Sequence, residues 1–274
     1  MGPDIRMTKP PTSGVRKAFA SKGDDTTLTR FVKVPGKKRT HPRNQRLPGF
    51  ESTFVKEART KFPKSVKRVD QLTRLLVSGH SNIKIGRDVR KGHFRGYWIY
   101  TLSLEERKTC PSSCLHWQSC YGNNMPYAKR VDHTDPAFLV TLGREIEALL
   151  AVRGRPGILI RLHALGDFYS PEYVDFWRRM LAKHGRLAIY GYTAHGPDTP
   201  IGQAVFYLHH AQPRRFAVRW SNGTRDWGAT VSIGSPESCP PNAFVCPEQT
   251  GKTRCCATCG ACWSTTKNVA FLEH

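Results

Sequence analysis

Three cysteines stand close together in the middle of the chain, in the segment TCPSSCLHWQSCYG. Cys110, Cys114 and Cys120 have the spacing C-x3-C-x5-C. Three thiolates can hold a zinc ion with a fourth ligand from elsewhere, or three corners of a [4Fe–4S] cluster whose remaining iron is open. A disulfide with one spare thiol is the third alternative. We favour the cluster, because an open iron can bind a substrate or a cofactor.

A second cysteine-rich segment, CPEQTGKTRCCATCGACW, lies near the C-terminus. Its C-x2-C-x2-C spacing predicts a metal site, because such knuckles let backbone N–H groups support two thiolates on one ion. Structural zinc could use Cys259, Cys262, His274 and one further ligand. The spacing does not decide between Cys255 and Cys256. The other candidate set would hold a second [4Fe–4S] cluster and comprises Cys246, Cys256, Cys259 and Cys262.

The segment RLHALGDFYSPEYVDFW combines a buried-type strand with a polar turn. Asp167 in this turn could act as a general acid or base, or as a nucleophile toward a sugar C1'. A carboxylate that only caps the following helix is the alternative. Arg161 and His163 alternate along the strand, so we expect their side chains to point the same way, one layer below the rim. The candidate catalytic residues are therefore Asp167, His163 and Arg161.

Further polar loops, GYTAHG and WSNG, follow the next strands. Reactive groups in α/β folds lie just past the carboxyl ends of parallel strands. We therefore expect these loops, the turn LGDFYS and the central cysteines to converge on one rim. The candidate residues for binding a cofactor and substrate there are Gly166, Asp167, Tyr192, Thr193, Arg219, Ser221 and Asn222.

Strands and helices alternate from about residue 97 to 235, which indicates a parallel α/β layer or barrel. A basic hairpin, NIKIGRDVRKGHFRGYWIYTL, leads into the first strand, around residues 97–102. Strands are also predicted over 157–165, 187–194, 215–223 and 228–235. Helices are predicted over 136–154, with Asp135 as a cap and Gly154 as a stop, over 170–184, with Ser170 as a cap, and over 201–211.

Apolar residues at helical spacing predict two further helices, FESTFVKEARTKF and SVKRVDQLTRLLVSG. We divide the chain into a basic arm with a helical extension (1–80), an α/β barrel-like catalytic domain (81–238) and a Cys-rich metal-binding tail (239–274). The expected fold is α/β, a partial (β/α) barrel flanked by the basic extension and the metal-binding segment.

Charge is the strongest global signal, because 43 Lys and Arg against 21 Asp and Glu give a net charge of +22. A field of this strength draws polyanions, so we expect a nucleic-acid partner, with DNA favoured over RNA. The basic arm, up to about residue 49, would follow phosphates without reading sequence. No apolar run reaches the roughly 20 residues that span a bilayer, and the start lacks the apolar core of a secretory signal. A cytoplasmic location without membrane contact is expected, and the oligomeric state is left open.

The central cysteine loop resembles the cluster loop of radical S-adenosylmethionine enzymes, whose usual spacing is C-x3-C-x2-C. This resemblance implies a partial barrel in which Gly166 and Asp167 take the place of a Gly-Gly-Glu segment that holds the amino group of S-adenosylmethionine. The motifs KTCPSSC, SCYGNNM, RLHALGDFYSPEYVDFW, YGYTAH, RWSNG, CPEQTGKT and FLEH together resemble the phage gene product 88 family over about residues 80–274. That likeness implies a phage or mobile-element protein and supplies no reaction.

Three functions are consistent with these patterns. The first is an iron–sulfur enzyme of radical S-adenosylmethionine type that modifies a nucleic acid or a nucleotide-derived group, with S-adenosylmethionine as its cofactor. The second is a zinc-bearing transglycosylase that exchanges guanine for a deazaguanine in DNA or tRNA, with an aspartate nucleophile. The third is a non-enzymatic, zinc-stabilised DNA-binding accessory protein. We rank them in this order, because only an enzyme uses the convergent loops at the strand ends.

Overall fold

The chain folds around a sheet of eight strands, seen in a computed structural model that describes residues 59–152, 156–221 and 228–273. The strands in chain order are β1 (Val66–Lys67), β2 (Val77–Ser78), β3 (Trp98–Ser103), β4 (Arg130–Val131), β5 (Ile158–Leu165), β6 (Leu187–Thr193), β7 (Phe216–Ser221), β8 (Ala229–Ile233), β9 (Ala243–Val245) and β10 (Asn268–Leu272). The order in the large sheet is β2-β3-β5-β6-β7-β8-β10-β9. Only β2 runs antiparallel to its neighbour, and β1 and β4 form a separate parallel pair.

The described residues also form three long α-helices and two short ones. They are α1 (Phe138–Ala151), α2 (Pro171–Lys183), α3 (Pro200–Ala211), α4 (Cys256–Cys259) and α5 (Ala261–Ser264). The predicted α/β class is therefore confirmed, with a large and mostly parallel sheet. In the part of the chain that the structure describes, the end strands β2 and β9 do not pair, so the sheet does not close into a barrel.

The long helices cover one face of the sheet and form its main hydrophobic core. Ile160 of β5 and Val218 of β7 pack in this core with Leu142 of α1, Trp177 of α2 and Leu208 of α3. Each of these side chains is almost completely buried. Because successive strand residues point to opposite faces, the intervening side chains face the other side of the sheet.

That other face packs against the basic hairpin and the C-terminal segment. Leu159 of β5 and Tyr190 of β6 contact Phe94 of the hairpin and Trp263 of α5 in a second buried cluster. The two covering segments also bond to each other, since the backbone N–H of Arg90 donates to the carbonyl of residue 257 at 2.9 Å. We call this second face, opposite the long helices, the inner face of the sheet. The hairpin and the second cysteine segment meet on it.

The predicted alternation is confirmed from the hairpin onward. An antiparallel bridge joins Asp88 to Trp98 at the base of the hairpin. β5, β6, β7, β8 and the three long helices each fall inside the predicted ranges or within one residue of them. Ser170 caps α2 as expected, because its hydroxyl accepts a bond from the Tyr173 N–H at 3.2 Å. The N-cap of α1 is Ala137 rather than Asp135, whose carboxylate accepts from the Ala137 N–H.

The helix predicted over SVKRVDQLTRLLVSG is wrong. This segment forms two single turns of 3-10 helix, Pro63–Ser65 and Val69–Gln71, and the short strands β1 and β2. The N–H groups of Leu75 and Leu76 donate to the two carboxylate oxygens of Glu145 on α1, at 2.8 and 3.1 Å. A tertiary partner thus takes the hydrogen bonds that a helix would have made internally.

The described parts of the three predicted segments share one sheet. β2 comes from the first segment, and β9 and β10 come from the cysteine-rich tail, where β10 lies between β8 and β9. The division at residues 80 and 238 stays a prediction. The basic arm, most of the helix FESTFVKEARTKF and the stop at Gly154 lie outside the described residues. No helix within those residues is long and apolar enough to cross a membrane.

Candidate functional site

The central cysteine group, Cys110, Cys114 and Cys120, lies in the irregular loop that follows β3. All nine cysteines of the chain are free thiols, so none of these three is oxidised to another. The three lie within electrostatic range of one another. Burial raises the pKa of Cys110 well above its usual value, and Asp167, Cys120 and Cys114 raise it further. Burial, reinforced by Glu106, raises the pKa of Cys120 to about 11.

Two buried arginines hold this loop in place. Arg130 forms a fully buried ion pair with Glu106, with its Nε 2.6 Å from the carboxylate. The same guanidinium donates to the carbonyls of Gly122 and Met125 at 3.1 and 3.2 Å. Arg107 donates to the carbonyl of Trp117 at 2.8 Å and to Asn123 Oδ1 at 2.9 Å. Side chains thus fix a backbone that has little regular secondary structure of its own.

Arg107 also supplies positive charge to the central thiols. Burial lowers its pKa, and Cys120, Glu106, Cys110 and Cys114 act in the opposite direction as negative neighbours. A guanidinium stays charged under physiological conditions. Sequence reasoning missed Arg107, Arg130 and Glu106. A basic residue beside two acidic ones in LEERKT, directly before the cysteines, was the available signal.

Gly166 and Asp167 connect the end of β5 to the start of the cysteine loop. Gly166 has a φ of +84°, and a Cβ there would lie 2.7 Å from Thr109 Oγ1. The Asp167 N–H donates to that hydroxyl at 3.0 Å. The Asp167 carboxylate accepts from the N–H groups of Phe168 and Ala194, at 2.7 Å each. Asp167 therefore ties the loop after β3 to the ends of β5 and β6.

The buried carboxylate of Asp167 has a perturbed pKa. Burial raises it to about 6, against the opposing effects of His195, the two N–H donors and Thr193. Sequence reasoning missed His195, although it lies in the strand-end loop GYTAHG. Its side chain is 8% exposed, and its Nε2 has no hydrogen-bond partner among the described residues. An acid with a raised pKa therefore lies beside the central thiols, and the imidazole of His195 lies beside that acid.

Arg161 and His163 point to opposite faces of the sheet, so the expectation that they align is wrong. β5 is irregular between them, because Thr101 and Ser103 of β3 pair with Arg161 and Leu165. Such irregularities re-aim side chains. His163 packs against α2, where its Nε2 lies 3.0 Å from the Tyr173 hydroxyl. Burial, followed by the charge of Arg161, lowers the pKa of His163 to about 3 and keeps it neutral.

Arg161 points to the inner face and lies between the two cysteine segments. Its guanidinium is 5.2 Å from the ring centroid of Tyr192. Burial alone would lower its pKa, but ionised forms of Tyr192, Tyr190, Tyr121 and Cys256 outweigh burial and raise it. Tyr121 directly follows Cys120, whereas Cys256 belongs to the C-terminal segment. The Arg161 guanidinium therefore has neighbours in both cysteine segments.

The C-terminal cysteine group, Cys246, Cys256, Cys259 and Cys262, lines a single cavity. Cys255 does not line it, since it is buried in the cluster with the hairpin, and a Cβ on Gly86 would lie 2.7 Å from its sulfur. Of the two adjacent cysteines, Cys256 is therefore the one that faces the other three.

The remaining predicted site residues have separate surroundings. The Tyr192 hydroxyl donates to the sulfur of Cys262 at 3.0 Å. Arg219 donates to the carbonyls of Cys262 and Lys267 at 3.0 and 2.7 Å, so it holds the turn that carries α5. Thr193 accepts from the His195 N–H and hydrogen-bonds to Asp167. Ser221 ends β7, while Asn222 and His274 lie outside the described residues.

Metal geometry is not preformed in residues 59–152, 156–221 and 228–273. No group of three or more His, Cys, Asp or Glu side chains there could hold a metal ion as arranged. Deprotonated thiols are the required ligands, and burial raises the thiol pKa in both groups. The donor set still fits a soft metal or an iron–sulfur cluster, for which thiolates are the preferred ligands.

Comparisons with known proteins agree on one family. The family model for Gene product 88 matches residues 72–265, well over half of the chain. A "Gene 88 protein" of Mycobacterium phage L5 is 28% identical over 199 residues, which cover 63% of this chain and 76% of that protein. A "Gene 88 protein" of Mycobacterium phage D29 is 25% identical over 135 residues, 41% of this chain and 54% of that protein. No solved structure matches the chain significantly. The chain therefore belongs to the Gene product 88 family, a family of phage proteins.

Proposed function

We propose that this protein is an iron–sulfur enzyme of radical S-adenosylmethionine type that modifies a nucleic acid or a nucleotide-derived group. Cys110, Cys114 and Cys120 would hold a [4Fe–4S] cluster with one open iron. The observation that carries the proposal is that these three partly buried thiols lie within electrostatic range of one another beside Asp167. With S-adenosylmethionine bound, such a cluster supplies one-electron chemistry.

The surroundings of the central group support a cluster rather than three unrelated thiols. Three thiolates bring negative charge into a buried site, which is costly without compensation. Arg107 offers that compensation to all three, and Arg130 fixes the loop through Gly122 and Met125. Burial raises the pKa of Cys114 and Cys120, and the backbone N–H groups of His116 and Gly122 oppose that rise as donors to sulfur. These features favour deprotonated sulfur ligands.

The topology also supports the radical-enzyme assignment. A parallel run of strands with helices on one outer face is the arrangement expected of an open, partial (β/α) barrel. The central cysteines follow the first long strand of this run, and Gly166 and Asp167 follow the second. Because Asp167 already accepts two backbone N–H bonds, we assign the chain's proton transfer to Asp167 and His195 together, and cofactor contact to the surrounding loop ends.

The nucleic-acid substrate is supported by charge. Residues 1–58 contain 13 Lys and Arg against 5 Asp and Glu, and residues 59–274 contain 30 against 16. Both parts of the chain are therefore strongly basic. On the hairpin, the side chains of Arg87 and Arg90 are half exposed and share Asp88 as their ion-pair partner. Surplus positive charge of this kind attracts phosphate backbones.

The experiment that tests the cluster is anaerobic purification, followed by iron and sulfide analysis and electron paramagnetic resonance with and without S-adenosylmethionine. The wild type should be brown, and S-adenosylmethionine should change the signal of the reduced protein. The triple variant Cys110→Ala/Cys114→Ala/Cys120→Ala should lose this response. Cys239→Ala is the control, because Cys239 belongs to neither cysteine group. Colourless protein that contains only zinc would refute the proposal.

The substrate class is tested by binding assays over a range of salt concentrations. Fluorescence anisotropy with labelled DNA and RNA duplexes and single strands should give affinities that fall linearly on a logarithmic salt scale. Deletion of residues 1–49 should reduce this slope. Affinity that does not respond to salt would rule out a phosphate-dominated contact.

A further inference from the structure

The C-terminal cysteine group is built from two parts of the tail that the sheet brings together. Cys246 directly follows β9, and its N–H donates to the carbonyl of Ala270 on β10 at 2.8 Å. Cys256 and Cys259 begin and end α4. Gly260 then turns the chain with a φ of +72°, and Cys262 follows on α5. Nine residues separate Cys246 from Cys256 along the chain, and the pairing of β9 with β10 fixes where Cys246 lies.

The walls of the cavity match the needs of negatively charged sulfur. The backbone N–H groups of Gln249 and Glu248 bond to the sulfur of Cys246. The Tyr192 hydroxyl donates to Cys262. Two arginines lie nearby, since Arg161 neighbours Cys256 and Cys262, and the Arg219 guanidinium donates to the carbonyl of Cys262. Hydrogen bonds to sulfur and nearby cations are the features that stabilise cluster thiolates.

The position of the four cysteines around a cavity favours a cluster over a single ion. Four ligands of one zinc ion must all reach the same point at about 2.3 Å. Around a cubane cluster each cysteine binds a different iron, so the four sulfurs stand further apart and enclose a space. These four cysteines line the walls of one cavity, as the ligands of a cubane would.

We propose that Cys246, Cys256, Cys259 and Cys262 ligate a second [4Fe–4S] cluster, with one thiolate on each iron. This inference deepens the proposed iron–sulfur function but uses a separate set of ligands. The two sites differ in kind. The central group leaves one iron open, whereas the C-terminal group saturates all four irons, so this site would bind neither substrate nor S-adenosylmethionine.

The test is the iron content of the full-length protein after anaerobic reconstitution with ferrous iron and sulfide. The wild type should bind about eight irons per chain, as two cubane clusters require. The double variant Cys256→Ala/Cys259→Ala should retain about four, together with the response of its resonance signal to S-adenosylmethionine. Cys239→Ala and Cys255→Ser should keep the full content, and circular dichroism would verify that each variant is folded.

The possible outcomes separate this inference from the proposed function. A double variant with wild-type iron content, or one that loses only a zinc ion, would overturn the second cluster. A wild type with about four irons, all lost in the triple variant of the central group, would overturn it too and leave the proposed function intact. If the triple variant retains every iron and the double variant loses them all, the second cluster stands and the proposed function fails.

If alanine at both positions prevents folding, the single variant Cys259→Ser gives a second measurement. Serine can replace a cysteine ligand only weakly, because iron prefers thiolate. We expect an altered resonance signal for one of two clusters and an unchanged signal for the other. Identical spectra for Cys259→Ser and the wild type would argue against the site.

Discussion

The two cysteine groups are held by different forces. The central group lies in an irregular loop, and two buried arginines fix it through hydrogen bonds to backbone carbonyls. The C-terminal group lies on a strand end and two short helices that pack into a hydrophobic cluster on the inner face of the sheet. Polar clamping depends on every partner being present, whereas hydrophobic packing spreads its contribution over many contacts. Loss of a single side chain should therefore destabilise the central group more than the C-terminal group.

The largest expected effect comes from breaking the buried ion pair of Arg130 and Glu106, which holds the central cysteine loop. In Arg130→Met the fully buried Glu106 carboxylate loses its partner, and removal of one member of a buried ion pair costs about 3–5 kcal/mol. Urea unfolding of the metal-free protein would measure this loss. Arg178→Ala removes an exposed ion pair on α2 and should change stability far less. If the two variants lowered the free energy of unfolding equally, the Arg130–Glu106 ion pair would not be what holds the loop.

The pH dependence of stability tests Asp167 in the same region. Burial raises its folded pKa to about 6, above the value of about 3.9 in an unfolded chain. Between these values the folded state binds more protons than the unfolded state, so stability falls as pH rises. From pH 4 to pH 7 the metal-free wild type should lose about 2 kcal/mol relative to Asp167→Asn. The exposed and uncharged control Val140→Ala should run parallel to the wild type, and a parallel Asp167→Asn curve would contradict the prediction.

A comparison of two glycine variants would test how tightly the central loop is packed against the end of β5. Gly166 and Gly92 both have positive φ, but a Cβ on Gly166 would lie 2.9 Å from Leu104 Cβ, whereas nothing lies within 4 Å at Gly92. Gly166→Ala should therefore destabilise the protein by about 1–3 kcal/mol more than Gly92→Ala, because only the former overpacks. Thermal unfolding would compare them. A difference near zero would mean that the loop can move away from β5.

The smallest effect is expected at the C-terminal group. Tyr192→Phe removes the hydroxyl that donates to Cys262, a loss of about 1 kcal/mol in the metal-free protein. In the loaded protein, loss of a hydrogen bond to sulfur should shift the reduction potential of the second cluster to more negative values. The matched control is Tyr121→Phe, because the Tyr121 hydroxyl donates to the carbonyl of Ala164 instead. Potentiometric titration should show that only Tyr192→Phe moves that potential.

Much of the fold could be predicted from the sequence, since periodicity and caps coincide in the region of β5, α2 and β6. Prediction failed where tertiary partners decide the backbone. The carboxylate of Glu145 accepts hydrogen bonds from the N–H groups of Leu75 and Leu76. No pattern in the local sequence predicts this contact. The strands β9 and β10 were missed for a similar reason, because each is short and is stabilised by pairing across the sheet.

The candidate site could be predicted by residue type but not by surroundings. Spacing pointed to both cysteine groups and left Cys255 and Cys256 undecided, since adjacent residues differ only in the direction they face. The orientation of His163 depended on an irregularity in β5 that its sequence does not reveal. Arg107 and Arg130 escaped notice because a buried arginine and a solvated one look alike in a basic sequence.

Arg161 places one buried positive charge between the two cysteine segments. Its guanidinium neighbours Cys256 on one side and, on the other, the Tyr121 that follows Cys120. A buried guanidinium favours negative charge on the groups beside it, and here those groups include the thiols of Cys256 and Cys262. Arg161→Met should therefore make thiolates at the C-terminal group less favourable while leaving their cysteines in place.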